Sequence, residues 1–461
     1  MTLASPHTPS SAAPLVIVGA GPIGLAATAH AVERGLPVVV LEQGSQVGAA
    51  VREWGHVRLF SPWAELVDPA AGRLLADAGW SSPEPDVAPT GLDWVQRYLE
   101  PLAEVLRTRG AVVRTGARVV GVARRGRDLL VVDGRAEVPF AVHVRSAAGG
   151  TGEGTEREDV VEAAAVVDAS GTWGRPGPLG ADGWPAPGEA HAADRIAYRV
   201  PDLADEAVRR RHAGRHTVVA GAGASAQNAL VALGAVAREV PGTRVTWLLR
   251  RGSVLRALGA GEADGLAGRG ALGLAARAAA DATAVTTVTG FRTVAVEAQA
   301  DGRLRLVPDA GEPVGDVDEV VAVTGFRPDH DWLAQVRLDL DPELGCPRAL
   351  ADGIHPAHHS CGTVAPHGAA LLRQPEEGLY LVGMKSYGRA PSFLAMTGHE
   401  QVRSIVAEVG GDHAAAAAVE LVLPETGVCG AAPAFDGAPA TSCCSPSSPV
   451  TDLVLEVAAR P

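Results

Sequence analysis

The chain has 461 residues, of which 47% are hydrophobic and 20% charged, and its formal net charge at pH 7 is −13. This apolar content excludes an intrinsically disordered protein, and the length is sufficient for two hydrophobic cores. The acidic balance argues against nucleic acid and anionic membranes as partners. Residues 1–14 lack the basic start and apolar centre of a signal peptide, and no apolar run is long enough to span a bilayer. We therefore expect a soluble, cytoplasmic protein whose N-terminus is disordered over residues 1–14.

The first motif along the chain is a glycine-rich turn between a predicted strand and a predicted helix, and it reads GAGPIG at residues 19–24. In a dinucleotide-binding fingerprint, Gly19 permits the tight turn, Gly21 lets a pyrophosphate approach the backbone, and Gly24 lets the helix lie close to its strand. A second predicted strand ends in Glu42, at the spacing expected for the acid that binds ribose hydroxyls. The sequence therefore predicts an FAD site here.

Several short elements are predicted between this motif and a second one like it. Apolar residues at helical spacing predict a helix from Trp94 to Arg109. Apolar patterns predict strands at 112–113, 118–123, 129–132 and 138–144, and the Gly-, Ala- and charge-rich stretch 145–159 predicts a hairpin loop. A further apolar strand pattern runs into DASGTW at residues 168–173 and closes the first segment.

The second glycine motif reads GAGASA at residues 221–226 and again stands between a strand pattern and a helix pattern. Its third glycine is replaced by Ala226, which the fingerprint allows. The predicted contacts to the dinucleotide are Gly221, Gly223, Ser225 and Ala226. The strand that follows ends in Arg250 and Arg251 where an NAD site would place an acid, and arginines pair with a ribose 2′-phosphate. The sequence therefore predicts NADPH in preference to NADH.

Two more strand patterns follow, with VTGFRP at residues 323–328 and LYLVG at residues 379–383, and a helix is predicted from Thr397 to Val409. Taken in order, these motifs resemble those of the two-dinucleotide-domain flavoproteins, and within them those of the FAD- and NADPH-dependent monooxygenases. The resemblance covers roughly residues 15–425.

The resemblance implies an α/β fold with two Rossmann-like dinucleotide-binding domains, the NADPH domain being inserted into the FAD domain. The implied segments are 15–199 and 331–425 for the FAD domain, 200–330 for the NADPH domain, and 426–461 for a flexible tail that contains cysteines. By the same resemblance Gly48 and Arg52 lie along the flavin, and the backbone near Val119 touches the adenine. Gly171 is a further cofactor contact, and Gly383 approaches the ribityl or pyrophosphate part.

The positions of the cysteines bear on the type of reaction. Related disulfide reductases carry a close cysteine pair beside the flavin, whereas this sequence has no cysteine before Cys346. Reduced flavin is therefore expected to pass electrons to O2 or directly to a bound acceptor. The motif FxGxxxHxxx(Y/F/W) of typical flavin monooxygenases is not intact, and its nearest counterpart is at residues 187–191. Candidate donors in a desolvated catalytic pocket, by their place near the flavin segments, are Arg58, Ser61, Lys385 and Tyr387.

The chain has five cysteines. Besides Cys346 and Cys361 these are Cys429, Cys443 and Cys444, which lie in a tail rich in Pro, Ser, Ala and Gly. A vicinal pair with a third thiol suits a soft ion such as arsenite or mercury. This tail is similar to the vicinal-cysteine tail of mercuric reductases, and the whole chain is similar to flavoproteins of arsenic-resistance gene clusters. The other interpretation is a low-complexity tail that binds no metal.

These observations predict an FAD oxidoreductase that uses NADPH and O2 and oxygenates a small soft nucleophile at nitrogen, sulfur or a metalloid. One alternative is an NADPH-driven reductase in which Cys443 and Cys444 deliver a metal, a metalloid or a disulfide to the flavin. The other is a thiol-rich metalloid-binding flavoprotein that is not an enzyme.

Overall fold

The computed structural model describes residues 13–146, 156–254, 257–259, 261–264, 266–356 and 366–421. Most of the predicted disordered N-terminus (1–14) lies outside these ranges, and so does the whole predicted tail (426–461) with Cys429, Cys443 and Cys444. In the described part of the chain, no helix combines the length and the apolar character needed to cross a membrane.

The strands in chain order are β1 (Leu15–Val18), β2 (Val38–Leu41), β3 (Val112–Arg114), β4 (Ala117–Arg124), β5 (Phe140–Ser146), β6 (Arg157–Ala163), β7 (Ala165–Asp168), β8 (Ile196–Ala197), β9 (His216–Ala220), β10 (Arg244–Leu249), β11 (Val285–Thr289), β12 (Thr293–Ala298), β13 (Leu304–Pro308), β14 (Val314–Val317), β15 (Glu319–Ala322) and β16 (Leu379–Leu381). The helices are α1 (Pro22–Glu33), α2 (Ala49–Arg52), α3 (Trp63–Leu66), α4 (Pro69–Asp77), α5 (Gly91–Trp94), α6 (Glu100–Thr108), α7 (Glu206–His212), α8 (Ala224–Glu239), α9 (Ala267–Ala280), α10 (Arg348–Ile354), α11 (Ala369–Leu372), α12 (Met384–Tyr387), α13 (Ala395–Val409) and α14 (His413–Ala417).

The first domain is built on a parallel sheet with the strand order β16-β7-β1-β2-β3. Strand β1 is buried along its whole length, as expected for a parallel strand that is covered on both faces. Helices α1 and α13 pack against each other beside this sheet. Because β16 comes from the end of the described chain and pairs with β7, this domain is assembled from two separated segments, as predicted.

A three-stranded antiparallel sheet, β4-β5-β6, stands beside this domain. The predicted strand at 129–132 is wrong, because Arg124 already pairs with Phe140 and the residues between them form the connection from β4 to β5. Leu130 is 89% exposed there, so the apolar pattern that suggested a strand is not buried. The predicted loop at 145–159 is shorter than expected, since β5 continues to Ser146 and β6 starts at Arg157.

The second domain contains another parallel sheet, with the strand order β11-β10-β9-β15-β8, and the antiparallel sheet β12-β13-β14. Helix α8 follows β9 through the second glycine motif. Strand β8 belongs to this sheet through β15, whereas the predicted boundary at residue 200 leaves it in the first domain. The arrangement confirms the predicted α/β class with one dinucleotide-type domain inserted into another.

The two helices predicted around these sheets are present with small differences. The helix predicted from Trp94 to Arg109 is made of α5, a π-helical turn (Val95–Leu99) and α6. The helix predicted from Thr397 starts two residues earlier, at Ala395.

Candidate cofactor and reaction site

The first glycine loop joins β1 to α1 and has the shape of a phosphate cradle. Gly19 has φ +102°, and a Cβ built on it would lie 2.8 Å from Ala169 O. A Cβ on Gly24 would lie 1.9 Å from Gly19 O, so no side chain fits at either position. By contrast, nothing lies within 4 Å of a Cβ on Gly21, which caps α1 without a side-chain bond. The loop therefore leaves an open surface at a helix N-terminus, the environment that binds a pyrophosphate.

Glu42 follows β2 and holds the loops around this cradle together. Its Oε2 accepts a hydrogen bond from the amide of Ala20 at 2.7 Å, and its Oε1 accepts one from the amide of Gly44 at 2.7 Å. A carboxylate oxygen accepts more than one hydrogen bond, so both oxygens can also accept from ribose hydroxyls. The cradle and its acid thus fit the pyrophosphate and ribose of FAD.

The other residues predicted along FAD lie close to the same edge of the sheet. Gly48, with φ +65°, donates its amide hydrogen to Ala20 O at 2.9 Å. Arg52 forms an ion pair with Glu100 and so is fixed against α6. Val119 lies on β4, which starts where the amide of Ala117 donates to Glu42 O at 2.8 Å.

A buried ion pair lies under the opposite side of the cradle. Asp168 ends β7, Lys385 lies on α12 just after β16, and both side chains are fully buried with Nζ 2.5 Å from Oδ2. Ser170 donates its hydroxyl to Asp168 Oδ1 at 2.6 Å and accepts from Lys385 Nζ at 3.2 Å. The ring of Trp332 lies 4.5 Å from Nζ. Lys385, a predicted catalytic donor, therefore joins the ends of two neighbouring strands through its ion pair. Gly171, a predicted cofactor contact, directly follows Ser170 in sequence.

Two further buried side chains, Gln401 and His367, form a hydrogen-bonded chain that ends on the backbone of Gly383, which has φ +67°. Gln401 Oε1 accepts the amide hydrogen of Gly383 at 2.8 Å, and Gln401 Nε2 donates to Ser386 Oγ at 2.8 Å. The same Nε2 lies 2.8 Å from Nε2 of His367, so this ring nitrogen is the acceptor and the ring proton resides on Nδ1. Tyr387 is fully buried next to His367, and burial raises the pKa of its hydroxyl. Tyr387 therefore stays protonated at neutral pH.

The remaining predicted catalytic residues, Arg58 and Ser61, lie where the two domains meet. Arg58 is exposed and donates from Nη1 to Ala88 O at 2.6 Å, whereas Ser61 is buried. Between them, the backbone of Phe60 lies under α9 of the second domain, and a Cβ on Gly268 would be 2.7 Å from Phe60 O. Among the described residues, no hydrogen bond joins Arg58 or Ser61 to Lys385 or Tyr387, so the structure does not bring the four predicted donors into one hydrogen-bonded group.

The second glycine loop repeats the geometry of the first between β9 and α8. Gly221 has φ +143°, and a Cβ there would lie 2.2 Å from the O atom of Val323, which directly follows the neighbouring strand β15. Gly223 is exposed, with nothing within 4 Å of its Cβ position, and caps α8 without a side-chain bond. Ala226 is fully buried at the third position, and Ser225 is half-buried in the first turn. A second dinucleotide therefore fits here.

The arginines after β10 lie at the edge of this second cradle. Arg250 is partly exposed, but protein surrounds its guanidinium closely enough that desolvation, and then the positive charges of Arg389 and Arg292, lower its pKa. Arg251 follows it and is half-buried.

Cys346 is the one cysteine among the described residues, and its side chain is fully buried. Burial, with a smaller contribution from Asp341, raises the pKa of its thiol to about 12. The thiol is therefore protonated and unreactive at neutral pH. No group of three or more His, Cys, Asp or Glu side chains suited to a metal is present in the described part of the chain. The predicted metal ligands Cys429, Cys443 and Cys444 lie outside it.

Comparison with known proteins finds a partial family match and several solved structures with a similar fold. Residues 16–153 match the family model of pyridine nucleotide-disulphide oxidoreductases. The bacillithiol disulfide reductase Bdr (YpdA) of Bacillus cereus superposes with a TM-score of 0.61 at 19% identity, over 87% of this chain and 99% of that one. Thioredoxin reductase of T. acidophilum superposes with a TM-score of 0.51 at 16% identity, over 86% and 98%. The chain has the fold of a two-dinucleotide-domain flavoprotein.

The bacillithiol disulfide reductase Bdr (YpdA) of Staphylococcus aureus superposes with a TM-score of 0.57 at 14% identity, over 87% of this chain and 98% of that one. No curated protein matches the sequence. The family match and the fold confirm the predicted resemblance to two-dinucleotide-domain flavoproteins, and they indicate FAD and NAD(P)H as the cofactors and an oxidoreductase as the class of activity. The predicted monooxygenase subclass and the predicted similarity to flavoproteins of arsenic-resistance gene clusters stay predictions.

Proposed function

We propose that this flavoprotein is an NADPH-dependent monooxygenase that acts on a small soft nucleophile containing nitrogen, sulfur or a metalloid. In the balanced reaction, NADPH supplies a hydride, which carries two electrons and one proton, and solvent supplies a second proton. One oxygen atom of O2 goes to the substrate, and the other leaves as water. The observation that carries the proposal is the position of the thiols. The first cysteine in the sequence is Cys346, which is fully buried and whose pKa is raised to about 12.

A thiol relay beside the flavin would need a reactive cysteine that can become a thiolate. Cys346 is held as a protonated thiol, and residues 1–345 contain no cysteine. Cys361 and the tail cysteines lie outside the described residues. In the proposed reaction no thiol relay takes part, and the electrons on the flavin go directly to an acceptor. Oxygen is the acceptor that needs no further group from the chain.

The chain's own residues bind and orient the reactants in this proposal. FAD, when bound, supplies the group that accepts hydride from the nicotinamide and passes electrons to the acceptor. The amides after Gly21 bind its pyrophosphate, and Glu42 orients its ribose. The Asp168–Lys385 pair holds the ends of β7 and β16 in place beneath that cradle. Arg58 and Ser61 lie at the domain contact, on either side of Phe60, against which α9 packs through Gly268.

Arg250 and Arg251 support the choice of NADPH. They follow β10, the strand whose end contacts the adenosine ribose in this type of domain. A bidentate guanidinium suits a ribose 2′-phosphate.

A disulfide reductase is the second candidate. It is favoured by the names of the similar solved structures, which are bacillithiol disulfide and thioredoxin reductases, and by the vicinal pair Cys443 and Cys444 in the sequence. In this reaction NADPH would reduce a disulfide to two thiols, with the tail pair as the relay.

The two reactions differ in what happens to oxygen. We would follow NADPH oxidation, O2 uptake and peroxide release with a thioether, a tertiary amine and trivalent arsenite, and use ¹⁸O₂ to label the product. One labelled oxygen per NADPH in any product supports the monooxygenase. NADPH oxidation that needs a disulfide, proceeds without O2 and is lost in the double variant Cys443→Ser/Cys444→Ser would instead establish the reductase. Cys346→Ala is the matched control, because its thiol is buried.

A further inference from the structure

An arginine cluster lies at the carboxyl edge of the second parallel sheet. Its members follow three strands of the second domain and one helix of the first: Arg250 after β10, Arg292 after β11, Arg327 after β15 and Arg389 after α12. The turn that carries Arg292 is fixed to the end of β10, since Gly290 N donates to Arg251 O at 3.0 Å and Phe291 N to Leu249 O at 2.9 Å.

Arg389 reaches this edge from the first domain. Its amide donates to Leu344 O at 2.9 Å, and a Cβ on the preceding Gly388 would lie 2.1 Å from the same oxygen. Gly345 follows Leu344 in that loop. A Cβ on Gly345 would lie 3.1 Å from Cγ of Pro328, the residue after Arg327. The short loop at 344–345 therefore holds Arg389 beside the segment that carries Arg327.

Three members of this cluster differ from Arg292, which lies 3.9 Å from Asp309 Oδ2. Within the described ranges, no carboxylate lies within 4 Å of the guanidinium nitrogens of Arg250, Arg327 or Arg389. Desolvation, and then the positive charges of Arg389 and Arg250, lower the pKa of Arg327. Desolvation, and then the charges of Arg389 and Arg292, likewise lower the pKa of Arg250. Like charges collected in this way are stabilised by a bound anion.

We propose that Arg327 and Arg389 join Arg250 in a phosphate-binding cluster that spans the two domains and holds the phosphate groups of NADPH. This inference rests on the NADPH preference proposed above and deepens it. The cluster lies at the edge of the sheet where Gly223 leaves the second cradle open, and dinucleotide phosphates bind at that edge in such domains. Because Arg389 belongs to the first domain, the bound coenzyme links both domains.

The test is calorimetric titration of NADP⁺ into the oxidised, FAD-loaded protein, so that the result does not depend on any turnover. Arg389→Gln and Arg327→Gln should each raise the Kd for NADP⁺ about tenfold or more, the typical effect of losing a charge-assisted hydrogen bond. Arg389→Lys should recover part of the affinity. The matched control is Arg348→Gln. It removes an exposed arginine that pairs with Asp339 and is not part of the cluster, and it should leave the Kd for NADP⁺ unchanged.

Unchanged NADP⁺ affinity in Arg389→Gln, with normal FAD content, would overturn the proposal. The proposal would also be overturned if Arg389→Gln weakened the binding of inorganic phosphate but not that of NADP⁺. The cluster would then bind a small oxyanion and not the coenzyme. If the monooxygenase proposal fails while NADP⁺ binding depends on Arg389, only the reaction type is wrong.

Discussion

Replacing Lys385 with methionine would remove the cation of the buried ion pair that joins the ends of β7 and β16. The substitution keeps most of the side-chain volume but leaves the carboxylate of Asp168 fully buried without its partner. Breaking a buried ion pair in this way costs about 3–5 kcal/mol. Because Ser170 still donates its hydroxyl and its amide hydrogen to Asp168 Oδ1, at 2.6 and 3.0 Å, we expect a loss near the lower end, about 3 kcal/mol.

Thermal unfolding of the FAD-loaded protein would measure this loss. A change of 1 kcal/mol shifts Tm by roughly 2–4 °C for domains of 150–250 residues, so Lys385→Met should lower Tm by about 6–12 °C. Arg348→Met is the matched control, because it breaks an exposed pair with Asp339 and should cost less than about 1 kcal/mol.

The double variant Lys385→Met/Asp168→Asn separates lost charge compensation from lost packing. Removing the stranded charge should restore a large part of the stability, since an uncharged buried pair has no ionic desolvation penalty. The reasoning is refuted if Lys385→Met is as stable as the Arg348→Met control, or if the double variant is no more stable than Lys385→Met.

Three further outcomes are expected. Gly21→Ala should fold normally but lose FAD, measured as flavin absorbance per protein. Gly24→Ala should also lower the Tm of the apoprotein, because its Cβ would lie 1.9 Å from Gly19 O. Equal apoprotein Tm values for the two variants would contradict this. Cys346→Ala should keep wild-type NADPH turnover, and a loss of turnover at normal FAD content would reveal a redox role for the buried thiol. Burial, and then Arg211 and Arg215, lower the pKa of His212 from 6.5 to about 4, so the unfolded chain binds more protons between these values and stability falls as pH drops through this window, by roughly 3 kcal/mol. His212→Gln should therefore reduce the pH dependence of the free energy of unfolding, measured by denaturation at several pH values in this window. An unchanged dependence on pH would refute the assignment.

The cofactor loops could be predicted from the sequence because their signals are local. A strand, a glycine turn and a helix are contiguous in the chain, so the roles of Gly19, Gly21 and Gly24 follow from spacing alone, and the structure has the predicted turn. The strand predicted at 129–132 failed for the opposite reason. Its apolar residues satisfied the local pattern, but the pairing of β4 with β5 left them in the connection.

The polar groups beneath the cofactor loops could not be predicted, because they depend on which strands are neighbours. Lys385 and Ser170 are 215 positions apart in sequence, and they meet only because β16 pairs with β7. A signal was nonetheless present, since Asp168 and Lys385 are charged residues at or near the ends of two strongly apolar strand patterns. Charges in such places are buried only when they are paired.

The contact between the domains bears on the choice between oxygenation and disulfide reduction. Gly268 on α9 packs against the backbone of Phe60, and Arg199, which follows β8, forms an exposed ion pair with Glu53, so the second domain contacts the first at two places near residues 56–62. If the flavin lies beside that segment, as the proposed function requires, a bulky disulfide substrate would have to pass these contacts to reach it. Oxygen and a small nucleophile need only a narrow opening, and oxygen chemistry gains from the exclusion of water. We therefore take the packing of Gly268 on Phe60 as support for the small acceptor proposed above.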